Sequence, residues 1–107
     1  MWENMGNQLV GIVFKALSSP TRINILKLLK DGPLCVCKII EDLGTEQSNT
    51  SQHLRALKNA GLIQSRKEGL KVIYSVKYYE VFDIIDTVEK IILMQSEEAQ
   101  KSIKVSI

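Results

Sequence analysis

The two cysteines, Cys35 and Cys37, are the residues whose type and spacing first suggest chemistry. Cysteine is often buried as a small hydrophobe, and that reading stands beside any reactive one. A bridge between residues two apart closes a very tight ring and adds little to stability. On a regular helix such residues point about 200° apart, at roughly 100° per residue, so they can neither share a core nor grip one ion. The pair follows Gly32-Pro33, at the start of an expected helix, where unwinding costs little. The helix N-terminus and Lys38 there favour the thiolate. Two soft thiolates suit a metalloid or a thiophilic metal, and a three-coordinate ion takes its third donor from solvent, a small thiol or a second subunit.

A second set of residues suggests recognition. Ser48, Ser51, Gln52 and Arg55 recur at i, i+3, i+4 and i+7, one face of a helix. Any solvated helix shows a polar face. This one lacks acids, follows a turn and precedes a basic hairpin. Gln and Arg make bidentate contacts to purine edges in the major groove, and Ser reaches bases or phosphates. Between residues 47 and 71 the bases are Arg55, Lys58, Arg66, Lys67 and Lys71, against the single acid Glu68. Arg66, Lys67 and Lys71 flank a turn and read either as a soluble turn or as contacts to nucleic-acid backbone, which position a protein without choosing sequence.

Those residues need elements to hold them. Leu9, Ile12, Val13, Ala16 and Leu17 mark a helix over 7–18. Ser19 caps a second helix over 20–30, with Pro20 in its first turn and Ile23, Ile25, Leu26, Leu28 and Leu29 as its apolar side. Asp31-Gly32-Pro33 stops it. A third helix spans about 36–43, on Val36, Ile39, Ile40 and Leu43, and ends at Gly44. A fourth spans 47–59, with Thr50, Leu54 and Leu57 inward, and Gly61 closes it. The period then changes to two: Leu62–Arg66 and residues 71–76 form a hairpin over about 62–76, turning at Lys67-Glu68-Gly69. A last helix over 79–97 carries Val81, Ile84, Ile85, Val88, Ile91 and Ile92, and the tail 99–107 is expected to fray. The fold class is mainly α with a small β-hairpin, in the order helix, helix, helix-turn-helix, hairpin, helix. This is a winged helix-turn-helix whose reading unit is about 36–59.

At 107 residues the chain is expected to be one domain, 1–107. Hydrophobic residues at 45% and charged ones at 24% exclude a disordered or fibrous class. No apolar run is long enough to span a membrane and no signal peptide is visible, so a cytoplasmic location without membrane contact is expected. The single histidine, His53, argues against His-rich metal sites and a Ser-His-Asp apparatus. It reads as a packing or phosphate-contacting residue. On the last helix Asp83 and Glu89 could serve as oxygen ligands, but without imidazole or thiol partners these acids, with Asp86, read as a solubilising surface. No constellation supports an enzyme.

The string Leu34-Cys35-Val36-Cys37, Leu43-Gly44, Gln47 through Lys58, Ala60-Gly61-Leu62-Ile63 and Arg66-Lys67-Glu68-Gly69 resembles the ArsR/SmtB family of dimeric metal-sensing repressors. Leu17-Ser18-Ser19-Pro20-Thr21-Arg22 and Ile25-Leu26-Leu28-Leu29 fit the same pattern, so the resemblance covers about residues 9–97. It implies that the first and last helices pair into a homodimer, and that the apo dimer binds double-stranded operator DNA without any cofactor; such a dimer is expected to read an inverted repeat. It implies DNA contacts from Gln47, Ser48, Ser51, Gln52, Arg55, Arg66, Lys67 and Lys71. It also implies release when an inducer binds Cys35 and Cys37, either arsenite or antimonite or a thiophilic divalent metal. The chain departs from the family's known sensor types. Arsenic sensors often carry a third thiol where Ile40 stands, cadmium and lead sensors add cysteines in an N-terminal extension, and zinc sensors use His and Asp on the last helix, which here offers Asp83, Asp86 and Glu89 but no His. Two other readings remain: the same repressor answering thiol oxidation or reactive sulfur, and a winged-helix module that binds protein. The acid-free 48–55 face argues against the latter.

Overall fold

A computed structural model describes residues 2–106 of the chain. The order is α1 (Trp2–Ala16), α2 (Pro20–Leu29), β1 (Leu34–Cys35), α3 (Val36–Leu43), α4 (Gln47–Asn59), β2 (Ile63–Glu68), β3 (Lys71–Val76) and α5 (Glu80–Ser106). This is the mainly helical winged helix-turn-helix expected from the sequence.

The inner helices stop where local chemistry stops them. Ser19 is the N-cap of α2: its hydroxyl accepts the Arg22 N–H at 3.4 Å, and Pro20 fills the first position, where no N–H is needed. Gly44 ends α3 at φ +65°, a left-handed conformation that costs a side-chain-bearing residue more. Thr50, fully buried at the start of α4, shares a hydroxyl hydrogen bond of 2.5 Å with Thr45 and so ties the turn to the recognition helix.

The core lies where these helices meet the sheet. Ile25, Leu26 and Leu29 of α2, Ile39 of α3, and Leu54 and Leu57 of α4 are buried. They join Leu62, Ile63, Val76, and Val81, Phe82 and Ile85 from the start of α5 in one cluster. Of the α2 residues expected inward, Ile23 and Leu28 are only half-buried.

Four boundaries differ from the sequence reading. First, a strand precedes α3. Leu34 pairs with Tyr74 and Cys35 with Ile73, giving a three-stranded antiparallel sheet in the order β1-β3-β2. Second, the hairpin is longer at its tip. Lys67 pairs with Val72 and Glu68 with Lys71, so the loop is Gly69-Leu70 rather than Lys67-Glu68-Gly69. A two-residue loop with φ +63° at Gly69 suits the twist of the strands. Third, α1 starts at Trp2, not near residue 7. Fourth, α5 runs through 99–106 without a break, because Glu97 to Ser106 holds no Gly or Pro. Residue 107, the end of the tail expected to fray, lies outside the described residues.

The apolar stripes of the two terminal helices are only partly covered. Leu9, Val10, Ile12 and Phe14 on α1, and Val88, Ile91, Ile92, Leu93 and Met94 on α5, are each 45–59% exposed. Among the described residues no single helix is long and apolar enough to cross a membrane.

Candidate nucleic-acid interface and cysteine pair

The helix-turn-helix presents α4 with Gln47, Ser48, Gln52 and Arg55 exposed and Ser51 half-buried. Its first turn carries no acid, and the backbone N–H groups of that turn add partial positive charge. Thr50, Leu54 and Leu57 anchor the opposite side in the core, so the polar side must face outward.

The wing positions its bases differently from one another. Directly paired residues of antiparallel strands share a face. Lys67, opposite Val72, therefore lies on the face of Ser65 and Tyr74, whereas Lys71, opposite Glu68, lies on the face of Arg66 and Ile73. Arg66 is bound to Glu68 through Nε at 3.0 Å. Lys67 and Lys71 are exposed, and neither has an ion-pair partner among the described residues. Leu70 stands fully exposed at the tip.

His53 has a partner that sequence spacing could not show, because it is 31 residues away. Arg22 Nε donates to His53 Nδ1 at 3.1 Å, and the same guanidinium reaches the Lys15 and Ala16 carbonyl oxygens at 3.4 Å each. Arg22 thus links the last turn of α1 to the recognition helix. Because a guanidinium can only donate, Nδ1 is the acceptor of this pair and Nε2 is the ring nitrogen left for another partner.

Cys35 is not on a helix. It is the extended N-cap of α3, at φ −72° and ψ 156°, and Cys37 is two residues further on. The 200° separation of a regular helix therefore does not apply. The Cα atoms lie 5.3 Å apart and the sulfurs form a disulfide. The Cys35 sulfur also accepts the Lys38 backbone N–H at 3.2 Å. Cys35 is half-buried and Cys37 exposed. The Lys38 side chain is engaged elsewhere: its ammonium is 3.2 Å from Asp42 and 3.8 Å from Glu41. Asp42, by hydrogen bond and charge, and then Glu41 hold the Lys38 pKa above its ordinary value. The hydrogen bond at Cys35 Sγ thus comes from the Lys38 backbone, while the Lys38 ammonium, expected to act on the cysteines, is held by Asp42 and Glu41.

One groove joins these parts. Cys35, Cys37, Gln47, Ser51, Arg55 and Lys71 are among the residues lining an open cavity of about 820 Å³, which Val72 and Tyr74 of the wing complete. No acid lines it. On α5, Glu89 pairs with Lys27 at 3.4 Å. Among the described residues no three His, Cys, Asp or Glu side chains gather where they could hold a metal.

The model of bacterial regulatory proteins of the arsR family matches residues 19–65, from the cap of α2 into β2. The cadmium resistance transcriptional regulatory protein CadC homolog of Staphylococcus aureus is 43% identical over 91 residues, 84% of this chain and 73% of that protein. The chain belongs to the arsR family. Among solved structures, the homodimeric winged helix-turn-helix DNA-binding domain Mb0332 of Mycobacterium bovis superposes with a TM-score of 0.78 at 29% identity, covering 91% of this chain and 90% of that one. Reduced HlyU from Vibrio cholerae superposes with a TM-score of 0.72 at 32% identity, covering 85% of this chain and 97% of that one. The arsR-family match and the winged fold make this chain a transcriptional regulator with a DNA-binding architecture, not an enzyme.

Proposed function

We propose that this arsR-family chain is a homodimeric, cytoplasmic repressor that reads an inverted-repeat operator through α4 and the wing. It lets go when a soft metal or metalloid binds reduced Cys35 and Cys37. The observation that carries this reading is the groove that puts both cysteines beside Gln47, Ser51, Arg55 and Lys71 with no acid between them. The relative named for cadmium resistance supports a thiophilic inducer.

The fit to an ion is partial and specific. Once reduced, Cys35 and Cys37 offer two thiolates, while among the described residues no third donor is gathered beside them. Arsenite, antimonite or a thiophilic divalent cation would take its remaining donor from water or a small thiol. DNA binding itself needs no metal. The transmission path is short. Cys35 pairs with Ile73 of the wing, and the helix it caps packs on α4. Drawing the two sulfurs around one ion shifts β1 and the start of α3 together, and the two reading units no longer fit the half-site spacing.

The disulfide favours a second reading, in which the input is oxidation. Two thiols then lose two electrons and two protons to an oxidant such as a peroxide, and the ring replaces the ion. HlyU from Vibrio cholerae, a structural relative, is solved in a reduced form, which is in keeping with this reading.

The deciding experiment selects an operator from random duplexes. It then titrates reduced, metal-free protein against it with arsenite, antimonite, cadmium, zinc, lead and hydrogen peroxide in turn. Tight binding of the apo protein and loss with arsenite or a soft cation are the expected results. Loss with peroxide alone replaces the first reading by the second, and no loss with any of them removes the sensing role.

Two substitutions check the reading face. Gln52→Ala weakens operator binding by about 1–3 kcal/mol if its amide holds a base edge, and leaves random DNA unaffected. Equal losses on both would take Gln52 off the reading face. Lys67→Ala or Lys71→Ala weakens all sequences alike and flattens the slope of log affinity against log salt by about one unit. An unchanged slope would remove that lysine from the phosphate contacts.

A further inference from the structure

We propose that the groove beside the disulfide is a modification site for a small anionic thiol, which becomes attached to Cys37 and occupies the DNA-reading face itself. This rests on the reading of Cys35 and Cys37 as the sensing pair, but it requires neither a metal nor a change of spacing within the dimer.

The asymmetry of the disulfide sets the direction of attack. Cys37 is the exposed residue of the pair, while Cys35 is half-buried and its sulfur accepts the Lys38 N–H at the start of α3. A thiolate that departs from Cys35 is therefore received by a hydrogen bond and by the helix N-terminus, and a better-stabilised leaving thiolate leaves faster. The incoming thiolate attacks Cys37 Sγ. A new S–S bond forms to Cys37, the Cys35–Cys37 bond breaks, and its electron pair stays on Cys35. No net oxidation occurs, because one disulfide replaces another. The same adduct forms on the reduced protein when the Cys37 thiolate attacks the symmetric disulfide of the small thiol and expels one half of it.

The surroundings select the charge of that thiol. Arg55, Lys58 and Lys71 line the groove and no carboxylate does. Lys58 Nζ donates to Ser65 Oγ at 2.8 Å, which holds its ammonium between α4 and the wing. None of the three cations has an ion-pair partner among the described residues. The cavity of about 820 Å³ is in the range of small-molecule sites and accommodates a tripeptide. Gln47, Ser51 and Arg55 line the same space, so an adduct there and a DNA backbone exclude one another.

The test uses Cys35→Ser, whose single thiol at Cys37 cannot reclose the ring. It is treated with oxidised glutathione, net anionic, or with cystamine, its cationic counterpart, at equal concentration and low salt. Mass spectrometry follows the adduct. Glutathione addition is expected to be about tenfold faster, the lower end of what a charged cleft contributes to encounter. Lys58→Gln in the same background narrows that ratio. The glutathione adduct binds operator at least tenfold more weakly than the unmodified variant. In the wild-type disulfide form, reduced glutathione with an alkylating trap leaves glutathione on Cys37 and the alkyl label on Cys35. Equal rates with the two reagents, a reversed labelling pattern, or an adduct that binds operator unchanged would each overturn the proposal. Release by arsenite is measured on reduced protein without glutathione. Failure there with success here removes the metal reading alone, and the converse removes this site alone.

Discussion

Cys35→Ser, Cys37→Ser binds its operator as tightly as the reduced wild type and keeps it through an arsenite titration that weakens the wild type about a hundredfold. A hundredfold shift is about 2.8 kcal/mol of preference for the released form, at about 1.4 kcal/mol per factor of ten. Two metal–thiolate bonds can supply it if the DNA-bound arrangement cannot make both. The substitution is mild where it stands. Neither cysteine belongs to the buried core, and a serine hydroxyl at position 35 still caps α3 by accepting the Lys38 N–H. Loss of response therefore reports lost sulfur chemistry rather than a damaged helix start. Fluorescence anisotropy of a labelled operator with and without arsenite is the measurement. A double variant that releases DNA as readily as the wild type would move the sensor elsewhere, and the acids of α5 would be the next place to look.

How much of this was legible in the sequence depends on where each feature takes its cause. The cap at Ser19, the stops at Gly44 and Gly61 and the inner stripe Thr50, Leu54, Leu57 are local, and those boundaries came out within a residue. The outer ends of α1 and α5 did not, because residues 3–5 and 98–102 are exposed and give no buried stripe to count. Strand β1 is two residues long and has no period of its own; only its pairing with Tyr74 and Ile73 defines it. That hidden strand decides the cysteine site. It draws Cys35 into extended backbone, so two sulfurs that a helix would point apart come together. The acid-free face of α4 was visible as composition. The groove was not, because β3 closes it from more than thirty residues beyond the cysteines. Arg22 and His53 were separately visible, yet their contact needs α2 and α4 to be packed first.

Ile92→Glu turns the dimer into a monomer at micromolar concentration and weakens operator binding on the order of a hundredfold or more. The motive is the apolar surface that one copy leaves open on α1 and α5. Phe14, Val88 and Ile92, with Leu17, Ile23, Ile84 and Ile85, line a mainly apolar groove of about 290 Å³ between these helices and α2, whose only charged lining residues, Lys27 and Glu89, are paired with each other. Ile92 is 57% exposed in the single chain, so a carboxylate there harms the monomer little. In a twofold interface each substitution occurs in both copies. Burying unpaired carboxylates costs about 3–5 kcal/mol, which is more than a hundredfold in the dissociation constant. A monomer offers one reading unit to an operator with two half-sites and loses the second as an intramolecular contact. Sedimentation velocity reads the mass, far-ultraviolet circular dichroism confirms the retained helices, and anisotropy reads the operator. Glu98→Gln, six residues along the same helix and exposed, serves as the control and leaves all three readings unchanged. An Ile92→Glu protein that still sediments as a dimer would place the interface away from this groove, and the open face of α5 would then need another occupant.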